Sequence, residues 1–194
     1  MKNFASIDIG SNTVRLLILE SDGAGDFQLL ASRRVITRLG EGMDKHGKLM
    51  QSRMSETLSA LSRFRQDCMD HGNPPLFAVA TSAVREASNG KEFVRLAREK
   101  TGIEIEIIPW EEEARLTLEG VFWKIPHENR KSLTLDIGGG STEFILSEGK
   151  SIAGFCSSSL GVVRLTEKFI HQHPIDNAEY EKLTLYLRNE LQAV

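Results

Sequence analysis

Two short segments of the sequence repeat one pattern of residues that can bind phosphate. Residues 7–13 read Ile-Asp-Ile-Gly-Ser-Asn-Thr, and residues 135–142 read Leu-Asp-Ile-Gly-Gly-Gly-Ser-Thr. Glycines let backbone N–H groups approach an anion closely, hydroxyl and amide side chains add donors, and an aspartate at a strand end can hold a divalent cation. The repeat therefore predicts a duplicated phosphate-holding turn, with the two turns clamping one phosphate chain from both sides.

A single segment of this kind has a simpler interpretation. It can be an ordinary hairpin in which the glycines supply positive φ angles. The second copy in a matching context favours phosphate binding, and the structural context of both copies tests it.

The elements that must position these turns follow from the hydrophobic pattern. Three apolar runs joined by short connections predict an antiparallel meander of strands. A looped stretch at 38–47 follows, and then an amphipathic helix whose apolar residues recur at three- and four-residue spacing from Met54 to Cys68. Strand, helix, strand and helix come next, and this order requires crossover helices and a mixed sheet. The strands are predicted at 4–9, 14–20, 27–36, 76–80 and 103–108, and the last two helices at 91–100 and 111–121.

A polar stretch at 126–131 breaks the periodicity and predicts a domain junction. Beyond it the repeated motif opens a second meander, with strands predicted at 132–137, 143–147 and 151–157 and helices near 162–171 and 177–191. The expected organisation is a first domain at 1–125 and the N-terminal part of a second, similar domain at 126–194, which we expect to be incomplete.

Composition restricts the classes of function. The chain has 194 residues, of which 40% are hydrophobic and 26% charged, as in soluble globular proteins. Its net charge of −3 argues against general nucleic-acid binding, so local arginines and a metal must meet a polyanionic ligand. Cys68 and Cys156 show no spacing typical of a disulfide framework or a zinc site. No signal peptide or membrane span is apparent, which predicts a cytoplasmic protein without a membrane partner.

Six segments together resemble a known family. They lie at 5–13, 38–42 (Arg-Leu-Gly-Glu-Gly), 80–86 (Ala-Thr-Ser-Ala-Val-Arg-Glu), 111–116 (Glu-Glu-Glu-Ala-Arg-Leu), 135–143 and 160–165 (Leu-Gly-Val-Val-Arg-Leu). In order and spacing they resemble the exopolyphosphatase and guanosine pentaphosphate phosphohydrolase (Ppx/GppA) family of the actin-like ATPase superfamily. The resemblance implies an α/β fold, with a ribonuclease-H-like domain built on a mixed five-stranded sheet and the start of a second such domain. A later glycine-rich turn of the family has no counterpart here.

Hydrolysis of a terminal phosphoanhydride needs an oriented water, a proton acceptor, positive charge and donors that hold the phosphates. The resemblance implies that Glu113 is the general base. Without it, Glu111, Glu112 and Glu113 would be interpreted as a solvated first helical turn favoured by the helix dipole. Arg85 ends a predicted loop after a strand, where its guanidinium can grip phosphate oxygens. The alternative is a surface arginine paired with Glu86.

The resemblance also implies a metal site and a phosphate cradle. Asp136 and Glu143 resemble carboxylates that hold a hydrated Mg²⁺ or another divalent cation, with Asp8 as their partner from the first turn. Magnesium takes few protein carboxylates and keeps several waters, which suits separated acids. The alternative for Glu143 is a side chain that points to solvent from an edge strand. The predicted phosphate ligands are Ser11, Asn12, Gly138, Gly139, Gly140, Ser141 and Thr142, with hydroxyl donors from Thr81 and Ser82.

Three functions from different classes are compatible with these residues. The first is an enzyme that removes the terminal phosphate from inorganic polyphosphate or guanosine pentaphosphate. The second is an ATP-dependent sugar or acid kinase of the same superfamily, and the third is a non-catalytic fragment that binds a phosphorylated alarmone. The Glu-Glu-Ala-Arg segment favours the hydrolase. A homodimer is compatible with the sequence.

Overall fold

In the computed structural model, which describes residues 2–123, 125 and 130–192, the chain divides into two units between Ile108 and Pro109. The first unit is built on a five-stranded sheet with strand order β3-β2-β1-β4-β5. Strands β1, β2 and β3 are antiparallel neighbours, whereas β4 and β5 run parallel to β1. This confirms the predicted meander followed by crossover strands. The strands are β1 (Lys2–Ile9), β2 (Thr13–Ser21), β3 (Phe27–Ile36), β4 (Leu76–Ala80) and β5 (Ile105–Ile107).

One face of this sheet carries the core of the first unit. Ala5, Ile7 and Ile9 alternate with exposed residues along β1, so one side of the strand is buried and the other is not. The buried side shares a single hydrophobic cluster with the apolar stripe of the long helix, including Phe64, and with Phe93 of a shorter helix. The helices of this unit are α1 (Met43–His46), α2 (Gln51–Asp70), α3 (Ser82–Glu86) and α4 (Gly90–Thr101).

Three predicted boundaries in this unit are wrong in detail. Residues 81–85 were expected as a loop, but they enter helix α3, because the Thr81 carbonyl accepts hydrogen bonds from the N–H groups of Val84 and Arg85. The stretch at 38–47 likewise contains helix α1. Single helical turns are too short to show a 3.6-residue period. The predicted strand at 103–108 shortens to β5, since its ladder extends only along Ala78–Ala80 of β4.

The described part of the second unit combines three helices with a three-stranded antiparallel sheet of order β6-β7-β8, and the first of these helices packs on the sheet. Ala114, Leu118 and Phe122 of the first helix form a buried cluster with Ile145 of the central strand. This helix therefore packs with the second unit, and the division at 108/109 falls earlier than the predicted boundary at 125/126. Residues 126–129 of the predicted junction lie outside the described residues. The elements are α5 (Trp110–Phe122), β6 (Lys131–Ile137), β7 (Thr142–Glu148), β8 (Ser151–Ser158), α6 (Val162–Phe169) and α7 (Asn177–Leu191).

The two repeated motifs form the same four-residue turn. In the first unit Ile9 pairs with Val14, and the Gly10 N–H donates to the Thr13 carbonyl at 3.0 Å. In the second unit Ile137 pairs with Thr142, and Gly138 donates to Ser141 at 2.9 Å. The internal duplication predicted from the sequence is thus present in the backbone.

Membrane insertion through a helix has no support in the part of the chain that the structure describes. None of the helices there combines the length and the apolar character needed to cross a bilayer.

Leu118 tests the packing that holds α5 on the second sheet. Leu118→Ala should lower the free energy of unfolding by about 2–5 kcal/mol, because it removes a side chain that is only 3% exposed. Leu116→Ala on the same helix is the matched control, with an expected change within about 0.5 kcal/mol, since Leu116 is 40% exposed. Urea unfolding followed by circular dichroism measures both. Equal losses in the two variants would contradict the packing.

Candidate active site

The first turn and helix α3 bring three predicted phosphate ligands together. Ser11 Oγ donates to Ser82 Oγ at 3.4 Å, and both side chains are buried. The Thr81 N–H donates to the Ile9 carbonyl at 3.2 Å, which holds the start of α3 beside the end of β1. Asn12 lies in the same turn, partly buried. Asp8 lies two residues before Gly10, the first residue of this turn, on the exposed face of β1.

Arg85 is held at the same end of the sheet. Its Nη1 donates to the Ile108 carbonyl at 3.0 Å, just beyond the carboxyl end of β5. Because β1, β4 and β5 are parallel, their carboxyl ends share one edge of the sheet, where crossover sheets place ligands. The first unit therefore assembles hydroxyls and a guanidinium at a position suited to an anion.

The second unit assembles the carboxylates. Asp136 and Glu143 are directly opposite each other in the β6–β7 ladder, so they share one face of the sheet. Helix α5 covers that face, and Thr117 Oγ1 donates to Asp136 Oδ2 at 3.2 Å. Glu113 lies one helical turn before Thr117 and therefore on the same side of α5.

Glu143 is the most enclosed of these acids. Its exposed fraction is 3%, which excludes the interpretation that it points to solvent from an edge strand. Burial raises the pKa of Glu143, and the negative charges of Glu113 and Asp136 raise it further, against hydrogen bonds from Ser141 and Ser157 that lower it. Ser157 Oγ donates to Glu143 Oε1 at 2.9 Å. Glu113 and Asp136 therefore lie close enough to Glu143 for their charges to raise its pKa.

The neighbouring glutamates have a different environment. Glu112 accepts a bidentate hydrogen bond from Arg115, at 2.8 Å from Nε and 2.7 Å from Nη2. This guanidinium lowers the pKa of the Glu112 carboxyl. Glu111 is exposed in the same helical turn. The three glutamates are therefore not equivalent, and only Glu113 is associated with the carboxylates of the sheet.

The first residue of each turn is a glycine because a side chain there would crowd the backbone of the same turn. Neither Gly10 nor Gly138 has a positive φ, so the simpler explanation of the sequence, conformational freedom in a hairpin, does not apply to them. A Cβ atom would lie 3.3 Å from the Thr13 carbonyl oxygen at Gly10 and 3.1 Å from that of Ser141 at Gly138. Both distances are tight, so the turns require close approach of backbone to backbone.

A segment that follows the third strand of each unit binds the carbonyl groups of the turn. In the first unit the Gly40 N–H donates to the Ser11 carbonyl at 2.8 Å, and the N–H groups of Thr37 and Arg38 donate to Asn12. In the second unit the N–H groups of Val162 and Val163 donate to Gly138 and Gly139, both at 2.9 Å. Sequence reasoning did not predict this role. The signal available was a second repeat, the Leu-Gly pairs at 39–40 and 160–161.

The side chain of Thr142, a predicted phosphate ligand, is hydrogen bonded within the second unit. Its hydroxyl donates to the Leu160 carbonyl at 2.8 Å and is buried. Thr142 also pairs with Ile137, so its side chain points to the sheet face opposite Asp136 and Glu143. We therefore assign the Thr142 side chain to the internal support of the turn. Ser141, which was predicted with it, is buried and hydrogen bonds to Glu143.

Two carboxylates of the second sheet have the oxygen donors that a magnesium ion would need. Within residues 2–123, 125 and 130–192, no three histidine, cysteine or acidic side chains are arranged as a preformed metal cage. Magnesium usually takes one or two carboxylates and completes its shell with water and substrate phosphates. Asp136 and Glu143, adjacent and both oxygen donors, match that requirement.

Comparison with known proteins identifies relatives over almost the whole chain. The sequence profile of the Ppx/GppA phosphatase family matches residues 17–194. Exopolyphosphatase 1 of Mycobacterium tuberculosis is 32% identical over 185 residues, which are 95% of this chain and 54% of the relative. The chain thus spans about half the length of this curated relative.

Solved structures agree with the profile. An exopolyphosphatase from Cytophaga hutchinsonii superimposes with a TM-score of 0.90 at 30% identity, over 98% of this chain and 61% of that one. The Aquifex aeolicus Ppx/GppA family member gives 0.76 at 32% identity, with the same coverage. The ethanolamine utilization protein EutJ from Carboxydothermus hydrogenoformans, at 17% identity and a TM-score of 0.56, shares the fold alone. The predicted actin-like ATPase fold is confirmed.

Glu143→Gln should stabilise the protein at neutral pH. The folded state raises the pKa of Glu143, so the wild type binds more protons folded than unfolded, and its stability falls as the pH rises above the ordinary value of 4.5. The amide is neutral and still accepts hydrogen bonds, which removes this cost.

Thermal unfolding at several pH values measures the effect. We expect Glu143→Gln to raise Tm by a few degrees at pH 7.5 and to match the wild type below pH 4.5. Glu148→Gln, on the exposed side of the same strand, is the control and should leave Tm unchanged. A Tm below that of the wild type at pH 7.5 is the contrary result.

Proposed function

The chain belongs to the Ppx/GppA phosphatase family, and we propose that its protein releases terminal phosphate from inorganic polyphosphate by metal-assisted attack of water. The observation that carries the proposal is the association of Glu113 with Asp136 and Glu143 beside the second glycine turn. A base next to carboxylates that attract a cation, and next to amides that attract phosphate, is the arrangement needed to direct water at phosphorus.

Glu113 is the proposed general base. It removes a proton from the attacking water as the new P–O bond forms and the bridging P–O bond to the rest of the chain breaks. The shortened phosphate chain and inorganic phosphate are the products. Glu113 lies in the first turn of α5, and Leu118 packs this helix on the sheet. The Glu113 carboxylate is therefore held in a defined orientation.

The first unit offers its own proposed phosphate ligands. Arg85 is the proposed guanidinium for phosphate oxygens, and Ser11, Asn12, Thr81 and Ser82 are proposed to supply polar side chains. Asp136 and Glu143 would hold Mg²⁺, which neutralises phosphate charge when it is bound. That Asp8 joins this metal, and that both turns bind one phosphate chain, stay predictions of the sequence.

Guanosine pentaphosphate is a second proposed substrate, because it presents the same terminal anhydride to the same groups. Membership of a phosphatase family favours hydrolysis over the ATP-dependent kinase activity considered from the sequence. A cytoplasmic location and a homodimer stay predictions.

Glu113→Gln tests the proposed base. Release of phosphate from polyphosphate by the purified full-length protein should fall by about 10²–10⁴-fold in kcat, because the amide cannot accept the proton from water. KM should change little, since the proposed role is in the chemical step. Glu112→Gln in the same helical turn should retain kcat, because Glu112 is engaged with Arg115.

A phosphate-release assay with polyphosphates of several lengths distinguishes these outcomes, and thermal unfolding checks that each variant is folded. Wild-type kcat in Glu113→Gln would exclude Glu113 as the base. Transfer of phosphate from ATP to an acceptor, without release to water, would overturn the hydrolase itself.

A further inference from the structure

The duplication extends beyond the two turns to a Leu-Gly pair that follows the third strand of each unit. Leu39 and Leu160 are 0% and 4% exposed, and each precedes a glycine packed against the turn of its own unit. We call residues 160–163 the bracing segment of the second turn. It consists of this pair and the first two residues of α6.

The bracing segment uses its N–H donors on the turn. The first N–H groups of a helix have no partner within the helix and often bind anions. Here those of Val162 and Val163 donate to the carbonyls of Gly138 and Gly139, each at 2.9 Å. The N-terminus of α6 therefore binds the turn itself.

This contact determines the direction of the next amides in the turn. In a trans peptide, the C=O of one residue and the N–H of the following residue point in opposite directions. Since the Gly138 and Gly139 carbonyls point to the bracing segment, the N–H groups of Gly139 and Gly140 point away from it. Thr142 ties Leu160 to the sheet face opposite Asp136 and Glu143, so the amides are directed away from that support.

Gly161 allows this close approach. A Cβ atom at this position would lie 2.2 Å from the Gly140 carbonyl carbon and 2.3 Å from the Gly139 carbonyl oxygen. Its backbone has φ −77° and ψ 144°, which any residue can adopt. Gly161 is therefore required for space between the two backbones and not for conformational freedom.

We infer that Gly161 is a positioning residue that orients the Gly139 and Gly140 amides for binding phosphate, an inference that rests on the proposed function. The bracing segment also polarises the same peptides, because hydrogen bonds in a chain strengthen one another and the helix N-terminus carries partial positive charge. The ligand is the anhydride-linked phosphate of a polyphosphate chain. Gly161 acts on it only through the turn.

The experiment titrates the protein with inorganic tripolyphosphate and Mg²⁺ and follows the assigned ¹⁵N–¹H resonances of Gly139 and Gly140. In the wild type both amides should shift on binding. Gly161→Ala should abolish these two shifts and raise the Kd at least about tenfold, because hydrogen bonds to a charged group are lost. Gly154→Ala on β8 is the control, since a Cβ there makes only an ordinary contact of 3.7 Å with Leu146.

Thr142→Val keeps the inference testable if Gly161→Ala does not fold. It removes one hydrogen bond to Leu160 at nearly constant shape, and should weaken tripolyphosphate binding about threefold, with smaller shifts at Gly139 and Gly140. A folded Gly161→Ala protein that binds with wild-type Kd and wild-type shifts would overturn the inference. If Gly161→Ala is unfolded, an unchanged Thr142→Val protein has the same meaning.

The same data separate failure of the inference from failure of the proposed function. If the wild type hydrolyses polyphosphate while Gly139 and Gly140 do not respond to tripolyphosphate, the positioning role is excluded and the hydrolase survives. If the wild type neither binds tripolyphosphate nor releases phosphate, the proposed function is excluded and the role of Gly161 with it.

Discussion

The register of the two hairpins is the constraint on which the candidate site depends. Each closes through the same four-residue turn, with Ile9 opposite Val14 in one unit and Ile137 opposite Thr142 in the other. Side chains alternate between the faces of a strand, so a slip of one residue would exchange the faces. If β7 slipped by one residue, Glu143 would leave the side covered by α5 and would no longer share a face with Asp136, and Thr142 would take its place. The turn and the carboxylates are thus parts of one geometric element.

The two copies share this element but have diverged at the position opposite the aspartate. Arg15 is opposite Asp8 in the first copy, whereas Glu143 is opposite Asp136 in the second. The second copy therefore concentrates negative charge, with Glu143 buried beside two other acids. Such an arrangement costs stability at neutral pH, and groups with perturbed pKa values are typical of functional sites. The proposed cation and the proposed general base are functional reasons for keeping three acids together despite this loss of stability.

Prediction from the sequence succeeded where a pattern was long or repeated. The strands of the first meander, helix α2 and the strands of the second meander were predicted within a few residues, because their periodicity extends over several residues. It failed for α1 and α3, which are single turns. The apolar stripe of α5 shows that this helix is buried but not against which sheet, so its packing on the second sheet came from the structure. A motif does not show which way a hydroxyl points, so the hydrogen bond from Thr142 to Leu160 came from the structure.

By itself, the sequence determined the fold class, the duplicated turn and the types of residue that could bind phosphate and metal, because periodicity and repeated glycines are local properties of the chain. Only the tertiary structure decided which glutamate of 111–113 is associated with Asp136 and Glu143, since that depends on how α5 lies on β7 and β8. It also decided that Gly161 is needed for space, because the contact joins backbones some twenty residues apart in sequence. Close approach between segments that are distant in sequence produces no periodic pattern of residues from which it could be predicted.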